Sequence, residues 1–329
     1  MSNPAWQMRR ALRLAEKGRG WVLPNPMVGA VILKGEERIG EGYHQKWGGP
    51  HAEIEALNSC TESPEGATLF VTLEPCCHHG KTPPCTEAII KSGIKKVVVA
   101  CKDPSKKVNG KGVLELEAAG ITVEVGVLEE AARSLNEAFF TFHEKNRPFI
   151  TLKMAISLDG KIAAKKGEES PITGEKTRRQ VHILRKNHQA ILVGAGTVLS
   201  DDPHLGVRLV EGNDPLRIIL KGKRALPKTA KIFRDDNVLI LENQNIEDLL
   251  DTLYEKGIVS ILVEGGSEVF TAFLESKKVD RVEVFQAPLV LGEKALPFAA
   301  LTEPLAFERL NTTQVGQDFW ITMNLKGKR

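Results

Sequence analysis

His51-Ala52-Glu53 and the run Pro75-Cys76-Cys77-His78-His79-Gly80-Lys81-Thr82-Pro83-Pro84-Cys85 place an imidazole, several thiols and a carboxylate within a short span of chain. That is the equipment of a zinc site that activates water. Zinc takes nitrogen and sulfur ligands in a tetrahedron, and a catalytic site uses three protein ligands and leaves the fourth position to water. His51, Cys76 and Cys85 supply three. Zinc lowers the pKa of its water to ~7, so a nucleophile is available at neutral pH. Glu53 lies two residues beyond His51, in the first turn of an expected helix. From there it can take the water proton and pass protons onward without occupying the metal. Cys76 and Cys85 each follow a proline at an expected helix start, where the helix N-terminus favours the thiolate. The alternative is a closed structural site, with Cys77, His78 or His79 as fourth ligand. Such a site has no use for Glu53. Either Cys76 or Cys77 could be the first thiolate, and the Pro-Cys position favours Cys76.

Strands and helices alternate around these residues. Pro4 to Gly18 reads as an amphipathic helix, and Ala30 to Leu33 as a strand entered through the turn Pro24-Asn25-Pro26-Met27-Val28-Gly29. Gly35 to Gly42 suggests a hairpin. A helix is expected from His51 to about Cys60, strands over Ala67–Leu73, Lys96–Ala100 and Ile121–Val127, and helices from Pro84, over Val113–Ala119 and over Glu129–Lys145. This predicts a three-layer α/β domain with a largely buried sheet. Asn146-Arg147-Pro148 breaks the pattern and puts a domain boundary between residues 146 and 147. Beyond it the pattern restarts as a second α/β domain, residues 147–329. Its strands are expected at Phe149–Met154, Ala190–Val193, Leu216–Leu220, Asn237–Leu241, Ile258–Val263 and Asp280–Gln286, with a helix over Gly174–Asn187.

The bulk properties exclude several classes. A net charge of +3 on 329 residues gives no electrostatic reason to expect a nucleic-acid or membrane partner. No apolar run approaches the ~18 residues of a membrane span, and the first residues lack a signal-peptide succession. Five cysteines gathered near a histidine argue for metal over disulfides and for a reducing cytoplasm. Cys60 and Cys101 read as small buried hydrophobes.

The chemistry-bearing motifs resemble a known family. A His-x-Glu followed by Pro-Cys and a second Cys is the pattern of zinc deaminases, but here the second thiol comes nine residues after the first, wider than that pattern's Cys-x-x-Cys. Pro24-Asn-Pro-Met-Val-Gly29, Gly48-Gly-Pro-His-Ala-Glu53 and Thr72-Leu-Glu-Pro-Cys-Cys-His-His-Gly-Lys-Thr-Pro-Pro-Cys85 resemble the deaminase domain of the bifunctional riboflavin-biosynthesis deaminase–reductases, which has a cytidine-deaminase-like fold. The resemblance implies one zinc per chain on His51, Cys76 and Cys85, catalysis by Glu53, and substrate contacts at Asn25, His44, Lys81 and Asp103. The family usually carries Ser at Cys77 and commonly Asn at Ser105.

In the second half, Gly194-Ala195-Gly196 and Glu264-Gly265-Gly266-Ser267 follow strands and put backbone N–H groups at helix starts, where phosphates bind. A glycine pair alone is usually a turn. No Gly-x-Gly-x-x-Gly fingerprint is present. Lys153-Met-Ala-Ile-Ser-Leu-Asp-Gly-Lys161, Gly194-Ala-Gly-Thr-Val-Leu-Ser-Asp-Asp-Pro203 and Val263-Glu-Gly-Gly266 resemble the reductase domain of the same family, which has a dihydrofolate-reductase-like fold and uses NADPH. The resemblance implies catalysis by Lys153. It implies cofactor contacts at Ala155, Pro171, Thr197 and Asp201, and along Gly266, Ser267, Glu268, Val269, Phe270, Thr271 and Ala272. It implies substrate contacts at Glu169, Arg185, Leu205, Arg208 and Glu264. Pro171 stands where the family often has Trp, and Lys221 where it often has Asp. The activity implied is deamination of 2,5-diamino-6-ribosylamino-4(3H)-pyrimidinone 5′-phosphate, then reduction of the ribosyl group of 5-amino-6-(5-phosphoribosylamino)uracil to ribityl, in a cytoplasmic homo-oligomer. Rival readings are a deaminase carrying a scaffold-only second domain, a non-catalytic zinc-binding interaction protein and a nucleic-acid deaminase. Near-neutral charge and the wide cysteine spacing speak against the last.

Overall fold

Short apolar runs such as Leu69-Phe70-Val71 and Val97-Val98-Val99 lack the polar alternation of a one-sided sheet, and a sheet covered on both faces explains them. A computed structural model describes residues 3–79, 83–165, 171–242 and 244–325. The chain divides into two compact units, Met1–Asn146 and Arg147–Arg329.

The first unit runs α1 (Pro4–Ala15), β1 (Gly29–Lys34), β2 (Glu37–Tyr43), α2 (Ala52–Asn58), β3 (Thr68–Val71), α3 (Cys85–Lys91), β4 (Lys96–Val99), α4 (Lys111–Ala118), β5 (Thr122–Val125), α5 (Glu129–Leu135) and α6 (Glu137–Lys145). Helix α1 starts where it does because Asn3 Oδ1 accepts the Ala5 N–H at 3.0 Å and Pro4 has no N–H that would need an acceptor. The sheet order is β2-β1-β3-β4-β5, with β3, β4 and β5 parallel and β1 antiparallel to both neighbours. Successive residues of a strand face opposite layers. Ala30 and Ile32 therefore join Ala52, Ala56, Ile89 and Leu116 of α2, α3 and α4, while Val31 and Leu33 join Met8, Ala11, Ala132 and Phe140 of α1, α5 and α6. Helix α2, which carries Glu53 and has His51 as its N-cap, lies directly on β2. A Cβ on Gly42 would come within 2.4 Å of the Ala56 backbone nitrogen, so only glycine permits that approach.

Two local expectations change. The helix expected over Glu129–Lys145 breaks at Asn136, which adopts φ −115°, ψ 30°. Asn136 gives its side chain to another segment: Oδ1 accepts the Met27 N–H at 2.8 Å and Nδ2 donates to the Met27 carbonyl at 2.9 Å. The break thus holds the Pro24–Met27 turn. Cys76 does not start a helix either; it lies in irregular chain after β3, whereas Cys85 is the first residue of α3.

The second unit runs β6 (Phe149–Ile156), β7 (Lys161–Ala163), α7 (Glu175–Lys186), β8 (Ala190–Gly194), α8 (Ala195–Asp201), β9 (Leu216–Leu220), β10 (Val238–Leu241), α9 (Ile246–Glu255), β11 (Ser260–Val263), α10 (Ser267–Glu275), β12 (Arg281–Gln286), β13 (Leu296–Pro297), β14 (Phe307–Val315) and β15 (Asp318–Leu325). The main sheet is ordered β10-β9-β8-β11-β6-β12-β15-β14, parallel up to β12 and antiparallel over β12, β15 and β14; β7 pairs with β13. Leu249, Leu253, Phe270 and Phe273 of α9 and α10 cover one face, and Val181, Leu184 and Val198 of α7 and α8 the other. Helix α9 and the hairpin β14–β15 add to the expected elements. Among the described residues no helix is long and apolar enough to cross a membrane.

Candidate active sites

In an open α/β sheet the carboxyl ends of the parallel strands collect ligand-binding loops. In the first unit, β3 runs out to Glu74-Pro75-Cys76 and β4 to Asp103, while α2 brings His51 and Glu53. His51, Glu53, Glu74, Cys76 and Asp103, together with Asn25, His44, Trp47 and Phe139, line a cavity of about 350 Å³.

His51 Nδ1 lies 3.5 Å from Cys76 Sγ and 3.3 Å from Cys85 Sγ, and the three candidate ligand atoms all fall within 4.8 Å of one another. Zn–N bonds of ~2.0–2.1 Å and Zn–S bonds of ~2.3 Å make the N···S edge of a tetrahedron ~3.5 Å. The donor set and its spacing therefore fit zinc. Cys77, His78 and His79 do not join this group among the described residues; His79 lies 3.3 Å from Glu87 instead. The Cys85 thiol and its backbone N–H at 3.4 Å, together with His51, hold Cys76 as the thiolate, down to about 4. The N-terminus of α3 thus serves both sulfurs, one through its first residue and the other across space. Glu53 is 3% exposed, and burial, reinforced by the neighbouring Cys76 charge, lifts its carboxyl to about 7.

The polar wall is ordered by hydrogen bonds. The Pro50 carbonyl can only accept, so His44 Nδ1 donates to it at 2.8 Å, and His44 Nε2 accepts from Asn25 Nδ2 at 3.1 Å. This leaves Asn25 Oδ1 as an acceptor. Burial lowers the His44 imidazole, which keeps it neutral in that relay. Asp103 is 8% exposed, accepts the Ser105 N–H at 2.7 Å, and is pushed by burial to about 6. The Ser105 hydroxyl is turned to the Lys107 N–H at 3.3 Å. Lys81 lies outside the described residues.

Glu74 is the residue that spacing did not single out. Its buried carboxylate accepts three backbone N–H bonds, from Asp103 (3.1 Å), Gly110 (2.9 Å) and Val113 (3.1 Å). A Cβ on Gly112 would meet the Pro75 carbonyl at 2.2 Å, so α4 starts tight against the metal loop. An acidic residue closing the apolar run expected as a strand over Ala67–Leu73 was the available signal. Phe139 and His143, edge to face with centroids 4.6 Å apart, supply an aromatic wall.

The second cavity, about 590 Å³, opens at the carboxyl ends of β6, β8 and β11. Glu264 is its anchor: Arg185 Nε and Nη2 donate to its two oxygens at 2.7 and 2.9 Å, and Lys153 Nζ stands 3.5 Å away. Burial works against its charge, but Arg185 and then Lys153 outweigh it and hold the carboxyl at about 2. Lys153, Ala155, Pro171, Arg185, Thr197, Asp201, Leu205, Arg208, Glu264, Gly266 and Phe270 all line this cavity. Ser267, Glu268, Val269, Thr271 and Ala272 do not, because seven consecutive residues cannot share one side of a helix. Val269 packs on Gly265, and Thr271 Oγ1 donates to the Ser267 carbonyl at 2.8 Å. Glu169 lies outside the described residues. The N-cap Gly266 of α10 has no side-chain cap, which leaves N–H groups for a phosphate and fits a dinucleotide.

Residues 148–321 match the RibD C-terminal domain, and residues 1–101 the cytidine and deoxycytidylate deaminase zinc-binding region. The riboflavin biosynthesis protein RibD of Aquifex aeolicus is 44% identical, over 95% of this chain and 96% of its own. The chain belongs to the RibD family. Among solved members, Acinetobacter baumannii RibD superposes with a TM-score of 0.94 at 38% identity, covering 98% of this chain and 99% of that one. The Thermotoga maritima diaminohydroxyphosphoribosylaminopyrimidine deaminase/5-amino-6-(5-phosphoribosylamino)uracil reductase does so at 0.89 and 43%, covering 98% of each chain. As in the family, the units are cytidine-deaminase-like and dihydrofolate-reductase-like, with zinc and NADPH as the cofactors.

Proposed function

We infer that the protein carries out two successive steps of riboflavin biosynthesis, deaminating 2,5-diamino-6-ribosylamino-4(3H)-pyrimidinone 5′-phosphate and then reducing the ribosyl group of 5-amino-6-(5-phosphoribosylamino)uracil to ribityl. The observation that carries this is the convergence of His51, Cys76 and Cys85 beside buried Glu53, in a chain whose second unit matches the RibD C-terminal domain.

In the first cavity, His51, Cys76 and Cys85 would hold zinc, which when bound would supply Lewis acidity to a water near neutral pH. Asn25 Oδ1 accepts from the pyrimidine edge, and Asp103 offers a second acceptor. Glu53, at about 7, is populated in both protonation states at neutral pH. It therefore takes a proton from water and delivers protons to the ring nitrogen and the departing amine.

In the second cavity, NADPH when bound supplies hydride. Opening the sugar also requires a proton at its ring oxygen, and Lys153 is the donor the cavity presents. Glu264 keeps Lys153 and Arg185 in place, and Arg208 supplies positive charge for the phosphate. The intact Lys153–Glu264–Arg185 network supports a working reductase over a scaffold-only domain. The reading extends to a cytoplasmic homo-oligomer, for which analytical ultracentrifugation is the measurement.

The test is a two-stage assay. With the diamino substrate, ammonia release should precede NADPH oxidation. Glu53→Gln should block both from that substrate, yet leave NADPH oxidation intact when the deaminated compound is supplied. Absence of ammonia release from the zinc-loaded wild type would overturn the reading.

A further inference from the structure

Helix α7 presents His182 and Arg185 to the second cavity from one face, a turn apart. Together they grip a single loop. Arg185 Nη1 donates to the Gly206 carbonyl at 3.3 Å, and the Arg208 N–H donates to His182 Nδ1 at 2.9 Å. Immediately before those contacts Leu205 takes a positive φ of 54°. An imidazole nitrogen that accepts an N–H carries no proton, so the ring proton of His182 sits on Nε2. Burial, then the charges of Arg185 and Arg208, push this imidazole down to about 4, which keeps it neutral. His182 is 6% exposed, and Nε2 has no hydrogen-bond partner among the described residues. It is not one of the sealed polar atoms either, so the N–H opens on the cavity that the ring lines.

The surroundings say what this N–H meets. Arg185 is matched by its two bonds to Glu264. The exposed Arg208 guanidinium has no carboxylate partner among the described residues and lies on the same wall. A free cation beside a fixed neutral donor suits a phosphorylated sugar, which offers an anionic group next to hydroxyls. We propose that His182 is a substrate-binding residue of the reductase cavity: held in its Nε2–H form by the Arg208 N–H, it donates a hydrogen bond to the phosphorylated sugar of the substrate. The identity of that sugar rests on the reading given above; the donor role rests on the geometry.

Two substitutions separate the ring's two nitrogens. Glutamine carries an NH₂ close to where Nε2 lies, and asparagine carries an oxygen close to where Nδ1 lies. His182→Gln keeps a donor to the cavity and gives up the hold on Arg208; His182→Asn does the reverse. In steady-state assays of the full chain, His182→Asn should raise the KM for the deaminated substrate about tenfold, with the KM for NADPH unchanged and ammonia release intact. His182→Gln should stay within about threefold of wild type. If asparagine preserves the substrate KM and glutamine does not, the residue only positions Arg208 and the proposal falls. It falls too if both variants match wild type. A second measurement needs no turnover. In a long-range proton–nitrogen correlation spectrum of histidine-labelled protein, His182 should show the Nε2–H tautomer at neutral pH, and ribose 5-phosphate should move the Nε2 resonance. A protonated ring, or no shift on saturation, overturns the assignment. Wild-type protein that binds ribose 5-phosphate through His182 but fails to oxidise NADPH with the deaminated substrate would refute the reductase reading and leave this one standing.

Discussion

Asp103→Asn should make the deaminase unit more stable and less active, and both effects follow from one carboxyl group. Burial raises Asp103 from 3.8 to about 6. The difference is about two pKa units, each ~1.4 kcal/mol, so the ionised group costs the folded state ~3 kcal/mol above the folded pKa. The sign follows from the raised folded value. The penalty is absent below pH 3.8, grows between pH 3.8 and about 6, and is complete above that. Asparagine keeps an oxygen for the Ser105 N–H at 2.7 Å and carries no charge. Relief of the penalty is offset by rearrangement around the new NH₂, so a net gain on the order of 1–3 kcal/mol is expected at pH 8. At pH 5 the gain should be smaller. The assay is denaturant unfolding of zinc-loaded wild type and variant at both pH values, beside ammonia release. Activity should drop at least tenfold because the pyrimidine loses a charged acceptor. A variant no more stable than wild type at pH 8, or with an equal gain at pH 5, would refute the reasoning.

Three further outcomes are expected. Glu53→Gln should retain zinc by elemental analysis and lose ammonia release by about a thousandfold or more, since the proton carrier is removed without a ligand. Cys85→Ala should lose zinc, whereas Cys77→Ser should keep both zinc and activity, because Cys77 stands outside the ligand group; zinc loss in the serine variant would contradict that ligand set. Glu264, held at about 2 against an ordinary 4.5, contributes stability that is complete above pH 4.5 and lost as pH falls through about 2. That is worth ~3 kcal/mol across the window and should be absent from Glu264→Gln in acid unfolding of the reductase unit.

Much of this could be read from the chain. The metal ligands and Glu53 sit on local spacings, and the buried strands announce themselves as apolar runs. What escaped depends on partners distant in sequence or on faces that carry no pattern. Leu135, Ala138, Phe139 and Phe142 keep helical spacing straight through Asn136, and only its bonds to Met27 explain the break. Strand β14 is exposed along nearly all its length, so Glu308-Arg-Leu-Asn-Thr-Thr-Gln314 shows no buried alternation. Cys76 looked like a helix start because a proline precedes it, yet its thiolate draws on the helix of Cys85. Glu74 and His182 act on backbone N–H groups of Asp103, Gly110, Val113 and Arg208, which no side-chain motif reveals.

The Glu74 clamp has a consequence for redesign. All three of its bonds go to main-chain donors, at positions 103, 110 and 113. The side chains of Ser105, Lys106 and Lys107 can therefore be exchanged without touching it, while insertion or deletion of one residue would move a donor off the carboxylate. A library that varies composition at fixed length over 105–107, leaving buried Val108 and left-handed Asn109 in place, should return folded, zinc-loaded enzymes with altered pyrimidine preference. One that varies length should return proteins that have lost the wall carrying Asp103. At its exposed positions the loop is open to rewriting in its letters, and it is closed in its length.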